Sequence, residues 1–162
     1  MRLARLTFIF LATIWVVLLA TAPAAALGAP LAGLTYAFGS LVCHQRPGRS
    51  FHVGLSQLPV CARCLGLYVG AAAGALGVIV LSRVVQCDFM AWTRTDVRRM
   101  LVVGALPTAS TWALEAAGLW APSNVTRFIA ALPLGVAVAL TVNYVECARP
   151  QRSESRLPPT PT

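Results

Sequence analysis

Four stretches of almost unbroken apolar residues divide this chain, and each is close to the length that crosses a membrane. They cover about residues 6–22, 62–81, 100–119 and 128–145. A helix needs roughly 20 apolar residues to span a hydrocarbon core, so the pattern predicts four transmembrane helices. A fifth apolar stretch, APLAGLTYAFGSLV, is too short to span and predicts an interfacial or re-entrant helix.

The more polar segments between these stretches set the expected domain layout. Residues 1–146 are predicted to form a single all-α integral membrane bundle, in which residues 23–61 make a Cys/His-rich outer loop. The remaining segment, 147–162, is polar and Pro-rich, so we expect a disordered cytoplasmic tail.

The first apolar stretch has two interpretations. It follows Arg2 and Arg5 and precedes Ala24 and Ala26 at A-x-A spacing, a pattern that also fits a cleavable signal peptide. The apolar run is longer than the roughly 7–15 residues of a signal peptide, which favours a retained helix. Both interpretations place the loop that follows on the outer side.

Composition supports the membrane interpretation. The chain is 57% hydrophobic and only 11% charged, with a mean hydropathy of +0.72. Soluble domains carry about 25% charged residues. The net charge is +8, and every basic residue is an arginine. In so apolar a chain we expect arginines to set membrane orientation, so the lipid bilayer is the expected partner and nucleic acid is not.

The arginines predict which side each segment faces. With the N-terminus inside, four arginines lie on the outer side, at positions 46, 49, 63 and 127, and the other nine lie inside. This distribution follows the positive-inside rule. It predicts a multi-pass protein of the bacterial inner membrane, with both termini in the cytoplasm.

One segment, VCHQRPGRSFHVGLSQLPVCARCLGLYVG, holds both histidines and three of the five cysteines. Cys87 and Cys147 fall on the predicted inner side and cannot join the others. Thiolates of a CxxC turn with a further Cys-His pair suit a four-coordinate zinc site, and copper or iron would also accept such ligands. The predicted ligands are Cys43, His44, Cys61 and Cys64, and His52 is a possible addition.

Two other functions fit the same residues. A CxxC beside Arg63 at a helix N-terminus should have a low thiol pKa, as in a membrane thiol-disulfide oxidoreductase that passes electrons to a quinone. Cys43 could instead form a disulfide with Cys61 or Cys64 that only staples the loop. Arginines 46, 49 and 63 could also bind lipid headgroups or another anion.

Glu115 is the acidic residue that lies well inside an apolar stretch. It follows Arg99 by about 24 Å of helix, which places it near the outer boundary on the side of the cysteine loop. Carboxylates at such depth usually have a partner, and Arg127 is the nearest candidate by topology. The Glu115–Arg127 pair either stabilises the packing of the helices or belongs to the cysteine site. Asn124 either caps the last helix or contacts a ligand.

The motifs CHQRPGRSF, LPVCARCLGLYVG and SNVTR resemble a family of small prokaryotic membrane proteins with a CHQ…RSF…CxRCxGxYxG signature. The resemblance covers about residues 32–145 and implies membrane architecture and an important loop, but no particular reaction. Members more often carry Asp at the position of Glu115. The matching positions are Cys43, His44, Gln45, Arg49, Ser50, Phe51, Cys61, Arg63, Cys64, Gly66, Tyr68 and Gly70, with Asn124 and Arg127 in the later motif.

Overall fold

A computed structural model describes residues 2–24, 28–84 and 92–154 of the chain. Five helices carry the fold: α1 (Arg2–Thr21), α2 (Ala29–Val42), α3 (Ala62–Val84), α4 (Arg94–Ala116) and α5 (Asn124–Glu154). Between α2 and α3 the chain makes a 3-10 turn (Pro47–Arg49) and a two-stranded antiparallel hairpin, β1 (His52–Val53) and β2 (Ser56–Gln57). The predicted all-α membrane bundle is confirmed, with this small hairpin as an addition.

Three of the described helices are long and apolar enough to cross a membrane, through the segments Leu6–Ala24, Ala62–Val80 and Asn124–Val145. Helix α4 has 23 residues, but charged residues occupy its first two turns and it is not among the three. Helix α2 is the short apolar helix that the sequence predicted, and it has only 14 residues.

Helices α3 and α5 run in the same direction and pack closely. A Cβ added to Gly66, Gly70 or Gly74 would lie 2.2 Å from the Phe128 oxygen, 2.3 Å from the Leu132 oxygen and 3.0 Å from the Val136 Cα, respectively. Contacts that advance together along both helices define a parallel pair. Gly66, Gly70 and Gly74 therefore form a packing face, where small residues let two backbones approach.

Helix α4 runs antiparallel to α5. Gly104 packs against Pro133, the Thr108 hydroxyl donates to the Ala130 carbonyl at 2.7 Å, and Glu115 pairs with Arg127. Because α3 and α5 are parallel spans, the chain must return between them, and α4 makes that return. Three of the four predicted spans are therefore long, apolar helices, and α4, the fourth, is a helix of lower hydropathy that packs antiparallel to α5.

Helix α1 is antiparallel to α3, since Ile9 packs with Ala75 while Leu19 packs with Val60 and Leu65. The C-terminal ends of α1 and α4 and the N-terminal ends of α3 and α5 therefore meet at one end of the bundle. We call it the thiol end.

Local capping explains where the helices differ from the predicted bounds. Helix α4 begins at Arg94 because Thr93 and Asp96 form a reciprocal capping box. It ends at Ala116 because Gly118 adopts a left-handed conformation (φ 69°) whose N–H bonds the Glu115 carbonyl. Helix α5 continues to Glu154, so residues 147–154 of the predicted disordered tail are helical, and 155–162 lie outside the described residues.

Candidate functional site

Three free thiols meet at the thiol end of the bundle. The Sγ atoms of Cys43, Cys61 and Cys64 all lie within 4.8 Å of one another. Cys43 is buried directly after α2, whereas Cys61, directly before α3, and Cys64, in its first turn, are partly buried. The Cys61 N–H donates to the Cys43 Sγ at 3.2 Å. The three cysteines that the sequence predicted on the same side of the membrane are therefore neighbours in the fold.

Gln45 holds the two ends of the cysteine loop together. Its side-chain amide donates to the carbonyls of Tyr36 and Pro59, both at 2.8 Å, while the main-chain carbonyl of Gln45 accepts from the Gln57 side chain at 3.1 Å. Gln45 adopts a left-handed backbone conformation (φ 46°) to reach these partners. This role was missed from the sequence, and the CHQ motif was its only signal.

The RSF motif fastens the loop to α4 and α5, one contact per residue. Arg49 pairs with Glu115, the Ser50 carbonyl accepts from the Asn124 side chain at 3.0 Å, and Phe51 makes an edge-to-face contact with Phe128. Ser50 is fully buried. These contacts fix the loop that follows Cys43 against α4 and α5.

Glu115 is surrounded by three arginines from three different parts of the chain. Its Oε2 lies 2.7 Å from Nη2 of Arg63, and its Oε1 lies 2.9 Å from Nη2 of both Arg49 and Arg127. Arg127 also donates to the Asn124 side-chain oxygen at 2.9 Å. The Arg127 partner was predicted from topology, but Arg49 and Arg63 were not. Glu115 thus joins the loop, α3 and α5 through one carboxylate.

The electrostatic environment favours a thiolate at Cys61. A hydrogen bond from the Cys64 side chain lowers the pKa of the Cys61 thiol to about 5. Burial opposes this shift, while the Cys64 and Arg63 backbones and the Cys43 side chain add to it. Arg63 turns towards Glu115, so the predicted effect of its charge on the thiol is replaced by hydrogen bonding.

A cavity of about 290 Å³ opens beside the three thiols. Its polar lining comes mainly from the loop after α2, and the predicted ligand His44 is one of the lining residues. The lining residues are Val42, Cys43, His44, Gln45, Arg46, Arg49, Cys61 and Cys64.

The other predicted residues take different places. His44 is exposed and lines the cavity, but the close cluster of ligand atoms comprises the three cysteines alone. His52 is exposed on β1, opposite Gln57, and does not line the cavity. Asn124 bridges the loop and Arg127, and the cap of α5 is Ser123, whose hydroxyl accepts from the Thr126 N–H at 3.1 Å.

Comparison with known proteins places this arrangement in a family. The family described as predicted membrane protein (DUF2085) matches residues 43–141, from the first clustered cysteine to well inside α5. The chain belongs to this family. The match spans more than half of the chain and includes Cys43, Cys61, Cys64, Glu115 and its three arginines.

Two archaeal relatives extend the comparison. An uncharacterised protein of Methanocaldococcus jannaschii is 31% identical over 107 residues, which are 66% of this chain and 65% of that protein. An uncharacterised protein of Methanothermobacter thermautotrophicus is 29% identical over 105 residues, 65% of this chain and 87% of that protein. No solved structure matches. The DUF2085 description supports the membrane location, while the relatives come from archaea rather than bacteria.

Proposed function

We propose that this membrane protein binds a zinc ion at the thiol end of its bundle through Cys43, Cys61 and Cys64. The observation that carries the proposal is the mutual approach of three Sγ atoms within 4.8 Å. Zn–S bonds of about 2.3 Å in a tetrahedral site put sulfurs about 3.8 Å apart, so the cluster needs little contraction to hold the ion.

The surroundings of the sulfurs fit thiolate ligands. The Cys61 N–H already donates to the Cys43 Sγ, and hydrogen bonds of this kind stabilise negative charge on a ligating sulfur. The low pKa of Cys61 favours the ionised form that a metal requires. Arg46 and Arg49 line the same cavity and can offset the negative charge that three thiolates leave on one divalent ion.

His44 is our candidate for the fourth ligand. It follows Cys43 directly and lines the same cavity, and its exposed side chain is free of packing that would oppose a rotation towards the sulfurs. A Cys3His set is one of the common structural zinc sites. His52 has no comparable position, since it lies on the hairpin outside the cavity lining.

We further propose that the thiol end faces the outside of the cell, with both termini in the cytoplasm. The arginine distribution supports this orientation, because the opposite end of the bundle holds the start of α4 with Arg94, Arg98 and Arg99. Accessibility of Cys43, Cys61 and Cys64 to a membrane-impermeant thiol reagent in intact, chelator-treated cells tests it. Labelling only after cell lysis would refute the orientation.

Elemental analysis of the protein purified in detergent tests the zinc proposal. We expect about one zinc per chain, and its loss in Cys64→Ser, because a thiolate contributes strongly to affinity at such sites. Cys147→Ser is the matched control, since position 147 lies about 35 Å along α5 from its N-terminal end. Protein without metal, and without uptake on titration, would refute the proposal.

A second candidate function is thiol-disulfide exchange, favoured by the position of Cys61 and Cys64 at the N-terminal end of α3 and by the low pKa of Cys61. The two thiols would pass two electrons and two protons to a quinone and form a disulfide. Alkylation followed by mass spectrometry after quinone treatment distinguishes the two. A reversible Cys61–Cys64 disulfide supports exchange, whereas thiols released only by a chelator support zinc.

A further inference from the structure

The cavity beside the thiols has a lining that selects for negative charge. Its polar side chains come from His44, Gln45, Arg46 and Arg49 together with the cysteines, and no carboxylate lines it. At about 290 Å³ the cavity is near the lower end of the size range of small-ligand pockets, about 300 Å³. A small anion therefore fits it better than a large substrate.

The charges at the thiol end do not balance. Four guanidinium groups, those of Arg46, Arg49, Arg63 and Arg127, face a single described carboxylate, Glu115. Three thiolates around one divalent ion carry one net negative charge. Two positive charges then stay uncompensated.

The four arginines differ in their burial and in whether they line the cavity. Arg63 and Arg127 are nearly buried, are committed to Glu115 and do not line the cavity. Arg49 contacts Glu115 at 2.9 Å and also lines the cavity, and 40% of its side chain is exposed. Arg46 is exposed, lines the cavity and makes no ion pair with any described residue.

The magnitude of the surplus indicates the kind of anion. A phosphate monoester carries a charge of about −1.5 to −2 near neutral pH, which matches two uncompensated guanidinium groups better than a single carboxylate does. The planar guanidinium also matches the oxygens of a phosphate in a bidentate arrangement. Trp112 and Trp120 are exposed at this end of the bundle. Exposed tryptophans of membrane proteins typically lie at the level of the lipid headgroups, so we expect lipid phosphates near the cavity.

We propose that the cavity binds a phosphate group through the guanidinium groups of Arg46 and Arg49, next to the cysteine cluster. The phosphate is either inorganic or the monoester headgroup of a lipid such as phosphatidic acid. The site shares its cavity with the proposed zinc site but uses different side chains, so each can fail without the other.

Calorimetric titration of the purified protein with inorganic phosphate, at constant ionic strength, is the first arm of the test. We expect binding that weakens at least about tenfold in Arg46→Gln, because a charge-assisted hydrogen bond is lost. Arg49→Gln should show a similar loss. Arg98→Gln removes an exposed arginine at the opposite end of α4 and should bind as the parent does.

The second arm identifies the source of the phosphate. The protein is placed in nanodiscs of phosphatidylcholine alone or with added phosphatidic acid, and the rise in its unfolding temperature is compared. A rise with phosphatidic acid that Arg46→Gln abolishes identifies a lipid headgroup. Binding of inorganic phosphate with no effect of phosphatidic acid identifies a soluble phosphate.

Absence of binding in both arms would overturn the proposal, and so would binding that Arg46→Gln and Arg49→Gln leave unchanged. Zinc content is measured on every variant. Phosphate binding that depends on Arg46 in a protein without zinc refutes the zinc site alone. Zinc retained in a protein that binds neither form of phosphate refutes the phosphate site alone.

Discussion

Arg63, which lies between the two cysteines of the CARC turn, places its Nη2 2.7 Å from Oε2 of Glu115 on α4. The same carboxylate holds Arg49 from the loop after α2 and Arg127 from α5. The elements that carry the three cysteines are therefore positioned by one acidic side chain that is not itself a member of the described cysteine cluster. Its replacement should affect folding and the site together.

Glu115→Gln should lower the free energy of unfolding by about 3–5 kcal/mol, because it leaves the nearly buried Arg63 and Arg127 without an anion. Arg49→Gln should cost about 1 kcal/mol or less, since that side chain is 40% exposed and solvent screens its pair. Denaturant titration in mild detergent measures both. Equal losses of unfolding free energy in the two variants would contradict the central role of Glu115 in joining these elements.

Asn124→Ala should loosen the loop that carries Cys43. It leaves the carbonyl of the fully buried Ser50 without a donor and costs about 1–3 kcal/mol. The alkylation rate of Cys43 in chelator-treated protein should rise as a result. Ser123→Ala, which removes only the cap of α5, costs about 1 kcal/mol and should leave that rate unchanged. The same rise in both variants would show that α5, not the loop contact, controls access.

The parallel packing of α3 and α5 gives a paired prediction from two glycines of one helix. Gly70→Ala would put a methyl group 2.3 Å from the Leu132 oxygen and should destabilise by about 1–3 kcal/mol. Gly77→Ala meets nothing within 4 Å and should be neutral or stabilise by up to about 1 kcal/mol. Thermal unfolding in detergent compares them, and equal effects would refute the packing described.

The sequence predicted the parts of the fold that depend on long patterns. Long apolar runs predicted the helices. Short features were not predicted. Strands β1 and β2 have two residues each, too few to show an alternation of apolar and polar positions. The start of α4 was not predicted, because its first turns carry charged residues and the apolar run begins only after them. The Thr93–Asp96 capping box sets that start.

For the site, sequence spacing and topology together brought out the cysteines and the Glu115–Arg127 pair. They did not reveal Arg49 and Arg63 as further partners, because those contacts depend on how α3 rotates and how the loop folds back. The tie made by Gln45 was missed for the same reason, since its partners Tyr36 and Pro59 lie on two separate segments. His52 was included by proximity in sequence, and the hairpin places it outside the cavity lining.

X-ray absorption spectroscopy at the zinc edge, on the protein as purified, tests the central claim most directly. The account predicts a shell of three sulfurs at about 2.3 Å and one lighter atom at about 2.0–2.1 Å. Cys64→Ser should remove a sulfur or the metal itself, and Cys147→Ser should leave the spectrum unchanged. A shell of oxygen and nitrogen alone, or protein that takes up no zinc, would contradict the account.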